Sequence, residues 1–220
     1  MEKQGIDARA TTSNKSNSDQ SEGEFQPIFM IGMSRHKLDV DNDQIAKDVL
    51  LRRDIKMKDE PTNTGYEDSF LPKTSAVDLL MKKIDNIVKS VNKHIVMKGE
   101  AWAHILAPGE STMYHTHSTF GPPGISFSYW VTYPKDSGEF IGVIQIDTMR
   151  HFHQVEPKVG DLLLFPTYLP HMTSRNASDE TRISISGNYY PPTDKLREIE
   201  REPGTLFNYT GIMNQDVLNR

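Results

Sequence analysis

Beyond residue 100 the hydrophobic pattern of this chain changes period, and that change restricts the fold more than any other feature of the sequence. Before it, Val77, Leu80, Met81, Ile84, Ile87, Val88 and Val91 recur at helical spacing. Ser75 stands in a capping position and Asp78 follows three residues later, so residues 75–91 are predicted to form an amphipathic helix that packs on a sheet. After it, residues 101–107, 113–117, 125–133, 139–146, 161–165 and 181–190 read as short strands. Gly-, Pro-, Asn- and Asp-rich pieces separate them, among them Pro108-Gly109, Gly121–Gly124 and Gly160. Many short strands at close spacing predict an antiparallel sandwich or jelly roll.

The same reading divides the chain. Residues 1–26 are almost free of apolar side chains and cannot bury enough surface to offset their ordering entropy, so a disordered tail is expected there. Residues 27–100 form a helical support region, with a first strand over 27–33, a helix over 43–52 and a long loop over 53–73. Residues 101–192 form the β core, and 193–220 a C-terminal extension with a short charged helix at 194–201.

Composition removes several function classes. The chain has no Cys, which excludes disulfides, thiolate metal sites and Cys nucleophiles. A metal would have to be held by His, Asp or Glu, a donor set that suits iron, manganese or zinc. A net charge of −5 gives no electrostatic case for a nucleic-acid backbone as partner. No apolar run reaches membrane length and no secretory pattern opens the chain, so a soluble cytoplasmic protein is expected. Two Asn-x-Ser/Thr triplets, at Asn176 and Asn208, are read as chance matches.

Four of the eight His fall in two pairs, His115-x-His117 and His151-x-His153. On a strand, residues two apart share a face, so either pair could converge on one ion. A lone pair is a weak signal. His171 follows the apolar run Leu162–Phe165 and a short Thr167–Pro170 link. In a jelly roll, an early and a late strand can lie side by side and bring their His together. Arg182, Ser184, Ser186 and Asn188 alternate with Ile183 and Ile185. That strand is either an edge strand with its polar face in water or one that turns Arg182 and Ser184 inward toward a carboxylate.

Together Trp102, Pro108-Gly109, His115-x-His117, Ser126–Trp130, Gly160-Asp161-Leu162, Phe165-Pro166, His171 and Arg182-Ile183-Ser184 resemble the Fe(II)/2-oxoglutarate-dependent dioxygenase superfamily. The nearest resemblance is to a group of bacterial and phage oxygenases distantly related to prolyl hydroxylases. It covers residues 100–190 and loosens toward Pro27; Phe127, Trp130 and the 121–124 segment depart from the pattern. It implies a mainly β fold: a double-stranded β-helix, or cupin-like jelly roll, with flanking N-terminal helices. It implies Fe(II) bound by His115, His117 and His171, with Asp147 as the understudy, and a surface role for His151 and His153. The superfamily's usual His-x-carboxylate position reads His-x-His here, one negative charge short. Arg182 and Ser184, supported by Tyr129 and Asn188, would hold the far carboxylate of 2-oxoglutarate. O₂ is the co-oxidant, and hydroxylation of a small-molecule or protein substrate with release of succinate and CO₂ is implied. For the phage relatives the setting would be the host cytoplasm. Because His must be neutral to bind metal, activity should fall in mild acid. Two other classes stay open: a three-His cupin-type iron dioxygenase that does not use 2-oxoglutarate, and a non-catalytic jelly-roll binding module.

Overall fold

A computed structural model describes residues 31–56, 66–68, 71–92, 97–117 and 124–190, all within one unit that begins at Ile31. Among these residues the elements are β1 (Ser34–Lys37), α1 (Asn42–Lys56), β2 (Tyr66–Asp68), α2 (Ser75–Val91), β3 (Met97–Leu106), β4 (Ile125–Thr132), β5 (Phe140–Ile146), β6 (Met149–Val155), β7 (Asp161–Pro166), β8 (His171–Thr173) and β9 (Arg182–Tyr190). They form a six-stranded sheet in the order β1-β7-β4-β9-β3-β2 and a three-stranded sheet in the order β6-β5-β8. All pairings are antiparallel, and most sheet neighbours are distant in sequence, as in a jelly roll.

Side-chain alternation decides which face of the large sheet meets which layer. On β4, Ile125, Phe127, Tyr129 and Val131 point toward the helices, as do Leu162 and Leu164 on β7 and Ile183 and Ile185 on β9. They pack against Ile45 and Val49 of α1 and Leu80, Ile84 and Val88 of α2. The opposite face looks between the sheets, where Trp130, Phe140, Leu163, Phe165 and Leu169 make a smaller aromatic core. The rest of that inner face is polar. Ser126 and Ser128 on β4 stand beside Asn188 and Ser186 on β9. A sandwich that spends its interior on hydroxyls and a guanidinium gives up hydrophobic stabilisation, and such an arrangement points to binding.

The helix over 75–91 forms as expected, but its cap is Thr74, whose Oγ1 accepts from the Val77 N–H at 3.4 Å. The Thr74 hydroxyl also donates to Asp48 of α1 at 2.6 Å, which ties the two helices together. Asp161, from the Gly-Asp-Leu run, is structural. It accepts from the Arg35 guanidinium and from the Lys158 N–H, fastening β1 to the head of β7. Gly160 before it has φ +81°, and an added Cβ would lie 2.9 Å from the Leu38 carbonyl oxygen, so the turn demands glycine.

Four expectations need correction. Residues 113–117 do not form a strand; they run beside β8 with a single bridge between His115 and His171. Residues 31–33 precede the first strand, which is β1. The expected loop over 53–73 gives up its start to α1 and three residues to β2. Strand β6 was not foreseen because it is exposed along most of its length and lacks an apolar face. The expected tail over 1–26, residues 27–30, the 121–123 segment and the helix at 194–201 lie outside the described residues.

Candidate metal centre and cosubstrate pocket

Between the two sheets lies an open cleft. Trp102, His104, His115, His117, His171, Thr173 and Ser184 are among its lining residues.

Backbone pairing brings the three predicted imidazoles together. His115 and His171 exchange both main-chain hydrogen bonds, at 3.0 and 2.9 Å, and the His117 N–H donates to the Thr167 carbonyl at 2.9 Å. The ligand atoms of His115, His117 and His171 all lie within 4.8 Å of one another. Nδ1–H of His115 donates to the Met113 carbonyl at 2.7 Å, and Nδ1–H of His171 donates to the Leu169 carbonyl at 2.8 Å. A carbonyl can only accept, so these bonds fix the tautomer and leave both Nε2 lone pairs for a metal. His171 is 6% exposed, with Phe140 stacked at 5.5 Å and Phe165 at 4.8 Å. Three neutral nitrogens held this way suit Fe(II). Among the described residues no carboxylate joins the cluster.

Strand β9 is central in its sheet, not an edge, so its polar face turns inward. Arg182 is 2% exposed. Its guanidinium donates to the carbonyls of Ser137 and Gly138 at 2.7 and 3.1 Å and to the Thr173 hydroxyl at 2.9 Å. Its buried Nε has no hydrogen-bond partner. Burial pulls the guanidinium down to about 10, which leaves it a cation at neutral pH. Ser184 and Thr173 flank it and line the cleft.

The remaining predicted residues fall elsewhere. Tyr129 is on the helix-facing side of β4, where its hydroxyl donates to Asn42 at 2.6 Å, so it cannot reach a cosubstrate between the sheets. Asn188 faces inward but accepts from the Ser126 hydroxyl at 2.7 Å and is not among the cleft-lining residues. Asp147 occupies the exposed β5–β6 turn at φ +54° and is not part of the cluster. His151 and His153 are exposed on edge strand β6. Asn176 is fully buried and its amide donates to the carbonyls of Leu106 and Glu180, so its triplet is no glycan acceptor in this fold.

Sequence reasoning missed His104. It stands opposite Ser184 across β3 and β9, and its Nε2 accepts from Trp102 Nε1–H at 2.7 Å. The signal was available: Trp102, His104 and Leu106 alternate with Ala101, Ala103 and Ile105. Trp102 in turn lies 5.4 Å from the His117 ring.

Burial and neighbouring imidazoles hold these rings neutral. Burial, then His115, Arg182 and His117, pushes His104 down to about 3. Burial and then His115 take His117 to about 4. For His171, burial and the nearby imidazoles outweigh the Leu169 carbonyl, which favours the charged form, and the value falls to about 3. The expected loss of metal binding in mild acid therefore does not arise from His117 or His171. Acid acts on stability instead. The unfolded chain takes up protons near the ordinary value of 6.5, before the folded chain does. The stability these rings confer is complete above that pH and drains as pH falls toward their folded values. Each contributes on the order of 1 kcal/mol per pH unit in that window. The melting temperature of metal-free protein should thus fall steadily from pH 7 to pH 5, as followed by circular dichroism. A flat profile would mean that the folded rings take up protons as readily as the unfolded chain does.

A jelly roll with three converging imidazoles beside a buried cation has the make-up of a mononuclear non-haem metal enzyme. Residues 100–188, the stretch that carries His115, His117, His171, Arg182 and Ser184, match the family model described as "Putative 2OG-Fe(II) oxygenase". The match supports an oxidoreductase that uses Fe(II) and 2-oxoglutarate. No curated protein sequence matches it. Solved structures share the fold. A prolyl-4-hydroxylase of Pseudomonas putida is 16% identical, with 74% of this chain and 94% of that chain covered and a TM-score of 0.56. A prolyl hydroxylase of Trichoplax adhaerens, in complex with a hypoxia-inducible-factor peptide fragment, is 13% identical with 78% and 88% covered and a TM-score of 0.58. HygX of Streptomyces hygroscopicus, with nickel and 2-oxoglutarate bound, is 14% identical with 74% and 84% covered and a TM-score of 0.58. No described helix is long and apolar enough to cross a membrane.

Proposed function

We propose that the chain hydroxylates a substrate at an Fe(II) ion held by His115, His117 and His171, consuming 2-oxoglutarate and O₂ and releasing succinate and CO₂. The observation that carries this reading is the convergence of those imidazoles in the cleft lined by Thr173 and Ser184, with the Arg182 guanidinium hydrogen-bonded to Thr173. When bound, the iron supplies O₂ activation coupled to oxidative decarboxylation of the 2-oxo acid.

The chain's own residues do the rest. The Met113 and Leu169 carbonyls hold two rings in the ligating tautomer. Arg182 and Ser184 receive the far carboxylate of 2-oxoglutarate, and the guanidinium enters that contact already desolvated. Trp130, Phe140 and Phe165 form the apolar side of the cleft and exclude water from the reacting centre. His104, kept neutral with Nε2 engaged by the Trp102 bond, lines the cleft without adding a charge.

The all-nitrogen ligand set is what favours the cupin-type alternative, in which 2-oxoglutarate is not used. One assay separates the two. Purified protein with Fe(II), ascorbate and 2-oxoglutarate is expected to form succinate slowly even without a prime substrate. Succinate no higher than in a chelator-treated control would remove the 2-oxoglutarate reading and leave the alternative standing.

A further inference from the structure

The cleft has an unusual charge inventory. Its ligand cluster is three imidazoles, neutral whenever they bind metal, and no carboxylate of the described residues joins them. Close by, Arg182 is buried at 2% exposure, with only carbonyls and a hydroxyl as partners. Among the described residues no carboxylate pairs with it. A divalent ion entering this cleft alone meets no anion among the described residues and adds to the buried cation behind Thr173. Uncompensated charge in a desolvated site is strongly disfavoured. 2-Oxoglutarate entering alone brings two negative charges to one buried guanidinium and meets no anionic ligand that would repel it.

We propose that 2-oxoglutarate itself supplies the anionic donor that the His115, His117 and His171 cluster lacks, so that the metal is retained firmly only together with its cosubstrate. This rests on the reading given under Proposed function and adds to it a rule of assembly. The metal-free cleft accepts the dicarboxylate first, and the dicarboxylate recruits the ion. Occupancy by iron then follows the supply of 2-oxoglutarate and not the supply of metal alone. The two ligands must raise each other's affinity by the same factor, because the coupling is a property of the ternary complex. A carboxylate at position 117 would break the rule. It would hold the ion by itself and lower the charge left for 2-oxoglutarate to balance.

Mn(II), which does not turn over, is the probe. Its binding to metal-free protein is followed by the loss of the free-ion electron paramagnetic resonance signal, with and without saturating 2-oxoglutarate. In the wild type, 2-oxoglutarate is expected to tighten Mn(II) on the order of tenfold or more, and calorimetry should find 2-oxoglutarate tightened by Mn(II) to the same extent. In His117→Asp, Mn(II) alone should bind more tightly than in the wild type, and the gain from 2-oxoglutarate should shrink to a few-fold. Equal Mn(II) affinity with and without 2-oxoglutarate in the wild type overturns the inference but leaves the metal site intact. Mn(II) uptake that His171→Ala does not reduce in either condition overturns the inference together with the reading beneath it. The wild-type comparison stands alone if the His117→Asp chain does not fold.

Discussion

Replacing His171 with Ala should give a folded chain that holds no divalent metal and forms no succinate. The backbone bonds between residues 171 and 115 do not involve the side chain, so the bridge to β8 survives the substitution. What disappears is one of three nitrogens, together with a ring that Phe140 and Phe165 pack against. Lost ring packing costs about 1 kcal/mol, which removal of a desolvated imidazole partly offsets. Metal affinity should fall by more than about a hundredfold, since even losing an outer hydrogen-bond partner of a ligand costs 10–100-fold. Metal content after desalting and circular dichroism on the same sample separate a lost ligand from a lost fold. A fully loaded His171→Ala chain would move the ion elsewhere, with exposed His151 and His153 the first place to look.

The second large effect belongs to Arg182. Its substitution by Ala should weaken 2-oxoglutarate binding by roughly a hundred- to a thousandfold while Mn(II) binding without cosubstrate is preserved or improved. The magnitude follows from stranding a carboxylate in a desolvated site, which costs roughly 3–5 kcal/mol. The same guanidinium satisfies the Ser137 and Gly138 carbonyls, so the Ala variant also leaves buried acceptors exposed to no donor. Arg182→Lys keeps the charge and part of the bonding. It should recover stability and some affinity, although an ammonium lacks the planar fork. Calorimetric titration of 2-oxoglutarate into both variants is the check. Parallel loss of Mn(II) and 2-oxoglutarate in Arg182→Lys would make the residue a structural clasp between the 137–138 turn and β8.

Legibility in the sequence tracked how local each cause was. The apolar stripe from Val77 to Val91 needs only its own helix, and it was read correctly apart from a one-residue shift of the cap to Thr74. The three converging His were legible through the spacing His115-x-His117 and the apolar run that leads into His171. Their mutual distance was not, because it depends on a pairing between segments far apart in the chain. Strand β9 admitted two readings until its neighbours β4 and β3 were known. Tyr129 was misplaced despite a usable signal: Ile125, Phe127, Tyr129 and Val131 alternate with small Ser126 and Ser128, which assigns the tyrosine to the apolar side. The partners of Arg182 come from the 137–138 turn and from Thr173, and no periodicity in any one segment encodes them.

The reciprocal main-chain bonds between His115 and His171 have a bearing on how such a chain can vary. They make the separation of the backbone at these two residues a dimension of the peptide ladder. The exposed β5–β6 hairpin between them can lengthen, shorten or exchange its surface without retuning that separation. Diversification of what the cleft admits is thereby uncoupled from upkeep of the chemistry it performs.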